Sequence, residues 1–329
     1  RRTSPAILPY NEYSSPDLSQ THVTDMSSNG RWITGSSEYL STGLPGAPYG
    51  TPWVHDTTSR NYEATGYNDS YRQAVSDDGR YVAYATNRLA PDGFTSRPVV
   101  SVVDRFTGVD TQYGPGIVLD MSFDGRVLAN FDSTTPITRV VDRTTGVAWS
   151  TSDIGPFNEA GSGVLLSGNG EWVTVRDANS VARAVQWRSN TSRAIGIQPN
   201  GTVFPGPVIP LGITYDGNLV LFDFETGDGS RIDHHLYLRD MATGKTIAVT
   251  APGETLAAPT YDASLAPDGS AVAFACDADR NDLCVYRPAT RTTEFEFGRG
   301  GFFGPIFITS EPNRVLDAGK GWFLERVGS

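Results

Sequence analysis

The chain alternates short apolar runs with tight polar turns, and it does so on a repeating frame. Six times an apolar residue is followed by a small turn ending in Gly, a polar residue and another apolar run. The copies are Met26-Ser-Ser-Asn-Gly-Arg-Trp-Ile33, Val75-Ser-Asp-Asp-Gly-Arg-Tyr-Val82, Met121-Ser-Phe-Asp-Gly-Arg-Val-Leu128, Leu166-Ser-Gly-Asn-Gly-Glu-Trp-Val173, Ile213-Thr-Tyr-Asp-Gly-Asn-Leu-Val220 and Leu265-Ala-Pro-Asp-Gly-Ser-Ala-Val272. The residues after each turn alternate polar and apolar, the period of a half-buried strand. Gly supplies the positive φ that a tight hairpin needs.

The second copy shows a whole unit. Residues 71–76 read as an inner strand, 77–79 as a turn, 80–86 as a second strand and 87–97 as a polar loop. Residues 98–104 form a Val-rich third strand, 106–108 a second turn and 109–113 an outer strand. The second turn recurs as Val141-Asp-Arg-Thr-Thr-Gly146 and Leu238-Arg-Asp-Met-Ala-Thr-Gly244, and more loosely elsewhere. The turn glycines fall at 30, 79, 125, 170, 217 and 269, in steps of 49, 46, 45, 47 and 52. A period of that size predicts an array of four-stranded antiparallel sheets, a β-propeller. A degenerate seventh copy, Ile308-Thr-Ser-Glu-Pro-Asn-Arg-Val-Leu316, puts Asn313 in the Gly position. It lacks an outer strand, which residues 4–10 would supply. The expectation is therefore one all-β domain over 1–329, with seven four-stranded blades. Residues 1–20 serve as closing strand and lead-in, and 308–329 form the last blade.

Ser-x-Asp-Gly-Arg-x-Val-Ala-Tyr followed by Val-Asp-Arg-x-Thr-Gly resembles the WD40-like repeat of the TolB family, known as PD40. The stretch 75–111 is the most similar, and it resembles secreted actinobacterial propellers. The resemblance implies a propeller with a protein-, peptide- or glycan-binding face. It carries no shared catalytic residues. The loop Asn87-Arg-Leu-Ala-Pro-Asp-Gly-Phe94 departs from the Asp-rich turn of such repeats.

Charge narrows the partners. A net charge of −11 argues against duplex nucleic acid and anionic membrane surfaces. No stretch reaches the roughly 18 apolar residues of a membrane span. Lysine is confined to Lys245 and Lys320 while arginine is common, which points to a GC-rich, bacterial genome. The chain opens Arg1-Arg2-Thr3, as a processed or cut product would. Cys276 and Cys284 flank a polar hairpin tip, within disulfide reach. A bridge there implies an oxidising compartment, and hence secretion.

Candidate chemistry lies in the longer loops between second and third strands and between blades. Tyr39, Tyr49, Trp53, Tyr67 and Phe94, with Asp223 and His235, suit a sugar that offers an apolar face and a hydroxyl rim. Packing of those rings onto the blades is the competing explanation. Asp277, Asp279 and Asp282 alternate like the donors of a calcium loop, without the Gly and distal Glu of an EF-hand. A solvated acidic hairpin tip is the favoured explanation of them, and no other cofactor is indicated. Histidines 22, 55, 234 and 235 match no metal-site spacing, and no Gly-x-Ser-x-Gly elbow is present. The expectation is a secreted, non-enzymatic module that binds cell-surface carbohydrate through its loop-rich face, either alone or as the targeting part of a larger secreted complex. A protein- or peptide-docking scaffold and a channel-centred enzyme resembling a polysaccharide lyase are the alternatives.

Overall fold

The computed structural model describes residues 21–37, 51–59, 61–64, 72–89, 96–132, 134–135, 137–151, 163–176, 181–227, 232–250, 263–276, 282–298, 306–310, 314–317 and 324–326. The chain divides into two compact units, Arg1–Ser152 and Asp153–Ser329. Every regular element among the described residues is a strand, and no helix is long and apolar enough to cross a membrane.

The first unit holds three four-stranded sheets, each an antiparallel meander hydrogen-bonded in chain order. Blade one runs Thr21–Met26, Trp32–Ser37, Thr51–Asp56 and Asn61–Ala64. Blade two runs Ala74–Val75, Tyr81–Leu89, Ser96–Asp104 and Val109–Pro115, and blade three Ile117–Met121, Val127–Asp132, Ile137–Asp142 and Ala148–Thr151.

The second unit opens on blade four, with Trp172–Arg176, Ala182–Gln186 and Thr191–Ala194. Its inner strand shrinks to a bridge between Leu166 and Val173. Blade five comprises Val208–Ile213, Leu219–Gly227, Ile232–Asp240 and Thr246–Ala248; blade six comprises Ala263–Leu265, Val272–Ala275, Asp282–Arg287 and Thr292–Gly298. A short sheet of Ile306–Ile308, Arg314–Asp317 and Leu324–Arg326 follows.

The glycine turn thus builds six blades of three or four strands, and this corrects the expectation of seven four-stranded blades closed by the N-terminal strand. Among the described residues the C-terminal sheet has three short strands and pairs only within itself. Residues 4–10 lie outside the described residues. The degenerate seventh copy had lost its Gly, and its three strands span only three or four residues each.

Apolar residues collect between successive sheets, not within one. Trp32 and Val54 of blade one meet Val75 and Val82 of blade two. Ala182 and Ile195 of blade four meet Val208, Phe222 and Phe224 of blade five. Blades five and six share Leu221, Leu236, Val272 and Phe274. Sheets stacked through such layers form one continuous core per stack.

The turn motif has a local chemistry that explains its spelling. The Ser76 hydroxyl donates to Asp78 Oδ1 (2.7 Å) and accepts the Tyr81 amide (2.9 Å), while Asp78 Oδ1 also accepts the Arg80 amide (2.9 Å). The same three bonds recur around Ser27, Ser122, Ser167 and Thr214. In blade six Ala266 replaces the hydroxyl, and only the Asp268–Ser270 bond is retained.

A second pattern locks neighbouring blades. The aromatic two residues after one turn glycine lies on the turn glycine of the next blade. Trp32 covers Gly79, Tyr81 covers Gly125, and Trp172 covers Gly217. Arg105 lies over the Trp32 ring at 4.7 Å, donates to Gly79 O and pairs with Glu63 at 2.5 Å. Arg143 does the same over Tyr81 at 4.4 Å and donates to Gly125 O. In blade four Trp187 takes the place of this arginine, and its Nε1 donates to Gly170 O at 2.7 Å. Trp32 and Trp172 thus pack one blade on the next.

The outer turns place Gly108, Gly146 and Gly244 at positive φ, where blade four has Asn190 (54°) and blade six Arg291 (58°). Arginine in the left-handed region is strained by about 1–2 kcal/mol, partly offset by the greater unfolded-state freedom of Gly. Arg291→Gly should therefore raise stability by about 0.5–1 kcal/mol, read as a higher urea midpoint at unchanged slope. A lower midpoint would show that the Arg291 side chain contributes more than its backbone costs.

Candidate functional site

The long hairpin of blade five concentrates donors. Leu219–Gly227 and Ile232–Asp240 pair over nine residues, with Glu225 opposite His234 and Phe224 opposite His235. Side chains alternate between faces along a strand. Asp223, Glu225 and His234 therefore share one face, and Phe222, Phe224 and His235 the other.

The aromatic face is closely filled. Phe204 lies 4.4 Å from Phe224 and 4.8 Å from Tyr237, and Phe222 stacks on Tyr237 at 5.5 Å. These contacts fix the strand from behind. On the polar face Asp223 is 0% exposed and anchored through both oxygens. Its Oδ1 accepts the His235 amide at 3.0 Å, and its Oδ2 lies 2.6 Å from His234 Nδ1. His234 is buried and Glu225 half-buried. One ligand atom from each of the three lies within 4.8 Å of the others, the one group of this kind among the described residues. Arg176 closes the neighbouring blade-four strand. Burial pulls its guanidinium pKa down, and the charge of Glu225 opposes that shift.

A different feature marks the outer turns of blades two and three. Phe106 is 71% exposed, Val109 57% and Val147 51%. Phe106 is presented by a rigid turn: Asp104 Oδ1 accepts the amides of Phe106 (3.0 Å) and Thr107 (3.4 Å). Arg80 pairs with Asp104 at 2.7 Å and lies 5.6 Å from the Phe106 ring. That hydrogen bond holds the Asp104 carboxyl at about 2. Val147 follows the equivalent turn, where Asp142 Oδ1 accepts the Thr144 amide at 3.0 Å.

The residues singled out from sequence fall in several places. Tyr39, Tyr49, Tyr67, Phe94, Asp277 and Asp279 lie outside the described residues. Trp53 is 1% exposed, inside blade one, so its ring packs the core and faces no loop surface. Asp282 opens the strand Asp282–Arg287. His235 sits on the face opposite the Asp223 side chain, with Nε2 3.1 Å from Thr226 Oγ1. His55 and His234 occupy the third strands of their blades. Cys276 and Cys284 form the expected disulfide, with Cα atoms 5.7 Å apart. Glu225 and His234 were not singled out as partners of Asp223, because only the strand register brings them together. Phe106 was masked by its place inside a turn motif.

Solved structures share this architecture. The chain is similar to TolB from Acinetobacter baumannii, at 17% identity and a TM-score of 0.50, over 87% of this chain and 65% of that one. It therefore spans less than two thirds of that protein. It is also similar to a chain of a Mitotic Checkpoint Complex, at 12% identity and a TM-score of 0.56, over 95% of this chain and 85% of that one. The Cps50 (Swd1) β-propeller domain of Myceliophteria thermophila matches at 12% identity and 0.55, over 90% and 92%. No family model and no curated protein matches the chain. At these identities the likeness shows a fold, that of a TolB-like and WD40-like β-propeller.

Proposed function

We propose that the chain is a non-enzymatic recognition propeller that docks a protein or peptide partner on the outer turns of blades two and three. The observation that carries this reading is Phe106, a large apolar side chain held 71% exposed by a hydrogen-bonded turn, with Val109 and Val147 near-equivalent in the repeat. Exposed aromatics on rigid supports are the residue type that anchors protein interfaces. The fold supports the reading, since one similar propeller is a chain of a Mitotic Checkpoint Complex.

Membership of the TolB-like repeat family and an actinobacterial origin rest on the repeat spelling. Secretion belongs to the same proposal and is supported by the Cys276–Cys284 bridge. Carbohydrate binding has less support: of the aromatics that suggested it, Trp53 is buried. Affinity capture from the native secretome decides between them. The wild-type chain should retain a discrete partner in the presence of competing sugars, and Phe106→Asp should lose most of it, at least roughly tenfold. Elution by sugar, or equal retention by Phe106→Asp, would refute docking at this turn.

A further inference from the structure

We infer that Asp223, Glu225 and His234 form a binding site for a divalent transition-metal ion of the zinc class. The three donors come from two paired strands in fixed register, with Glu225 opposite His234 and Asp223 two residues along the same face. Their ligand atoms already lie within 4.8 Å of one another, so a modest contraction brings them around one ion. Metal–oxygen and metal–nitrogen bonds to zinc are about 2.0–2.2 Å long.

The donor set selects the ion. One imidazole with two carboxylates suits zinc and its neighbours, whereas calcium takes oxygen ligands alone. Charge points the same way. Asp223 is fully buried and Glu225 half-buried, on one face of one hairpin. Two carboxylates and one imidazole thus converge on one point of that face, the donor set a divalent cation takes. A divalent ion would bridge both carboxylates in place of the 2.6 Å contact between Asp223 Oδ2 and His234 Nδ1.

Support for the ligands is built in. The His235 amide holds Asp223 at 3.0 Å, and the aromatic layer of Phe204, Phe222, Phe224 and Tyr237 stiffens the strands from behind. Ordered supports of this kind typically change metal affinity by about 10–100-fold. Glu225 is only half-buried, so of the three donors it is the one nearest solvent.

The test is calorimetric titration of untagged, chelator-treated protein with Zn2+ and, separately, Ca2+. Wild type should bind one equivalent of Zn2+ and show no competition from Ca2+. Glu225→Gln, conservative and at a half-exposed position, should weaken zinc at least roughly tenfold, as should His234→Gln. His235→Gln, on the other face, should bind as wild type does. Circular dichroism of each metal-free variant checks its fold. Absence of zinc binding, undiminished binding in Glu225→Gln, or preference for Ca2+ would overturn the assignment. None of these outcomes depends on a partner at Phe106, so the site and the docking surface stand or fall separately.

Discussion

Gly79→Ala is expected to destabilise the chain by roughly 2–5 kcal/mol, combining left-handed strain with overpacking. Gly79 has φ +69°, and a Cβ there would meet Trp32 Cε2 at 2.1 Å and Cδ2 at 2.2 Å. The indole has no room to retreat. Trp32 is 9% exposed, and the Arg105 and Arg31 guanidinium groups lie 4.7 and 4.9 Å from its ring. Gly146 is the internal control: its φ is +73°, yet a Cβ would meet nothing within 4 Å. Gly146→Ala should therefore cost only the conformational term, about 1 kcal/mol. Urea denaturation of both variants reads the difference. Equal losses would mean that the aromatic does not seal the neighbouring turn.

Raising the pH from 6 to 9 should weaken the fold by on the order of 2 kcal/mol through one carboxyl group, Asp25. Burial pushes Asp25 up to about 8, and the charge of Asp120 adds to the shift; the Val75 and Met26 amides and Arg72 oppose it. The Val75 amide donates to Asp25 Oδ2 at 2.9 Å, tying blade one to blade two. Because the folded-state value lies above the unfolded one, the protonated form is the stable form. Its contribution is complete below the ordinary carboxylate range and is lost as the pH climbs through about 8. Asp25→Asn keeps an oxygen to accept from Val75 and removes the titration. The variant should hold its melting temperature between pH 6 and 9 while wild type declines. Parallel curves would show that Asp25 is ionised in the fold at neutral pH.

The architecture was legible because its signals are local. Ser76, Asp78 and Gly79 form one turn whose bonds span five residues, so the motif alone announces the hairpin. The disulfide was legible for the same reason, as a hairpin closure eight residues apart. Local signals fade where the chain relies on distant partners. The closing strand was inferred from a count, and among the described residues the C-terminal sheet pairs only within itself. Trp53 looked like a loop aromatic because it stands near the loop; the register that pairs it with Gly35 and Ala64 puts it in the core. At the blade-five site, Asp223 and His235 were the residues chosen, yet the pleat places the ring of His234 beside Asp223. A shift of one residue in a strand exchanges its faces, and no sequence signal fixes that pairing across a loop.

Docking on the outer turns is tested most directly by a photocrosslinking residue placed at 106, at 147 or at 97. Arg97 is exposed and lies at the opposite end of the strand that leads to Phe106. In the native secretome, crosslinkers at 106 and 147 should capture the same discrete protein, and the one at 97 should not. Capture from 97 alone would place recognition on the loop side and contradict the account.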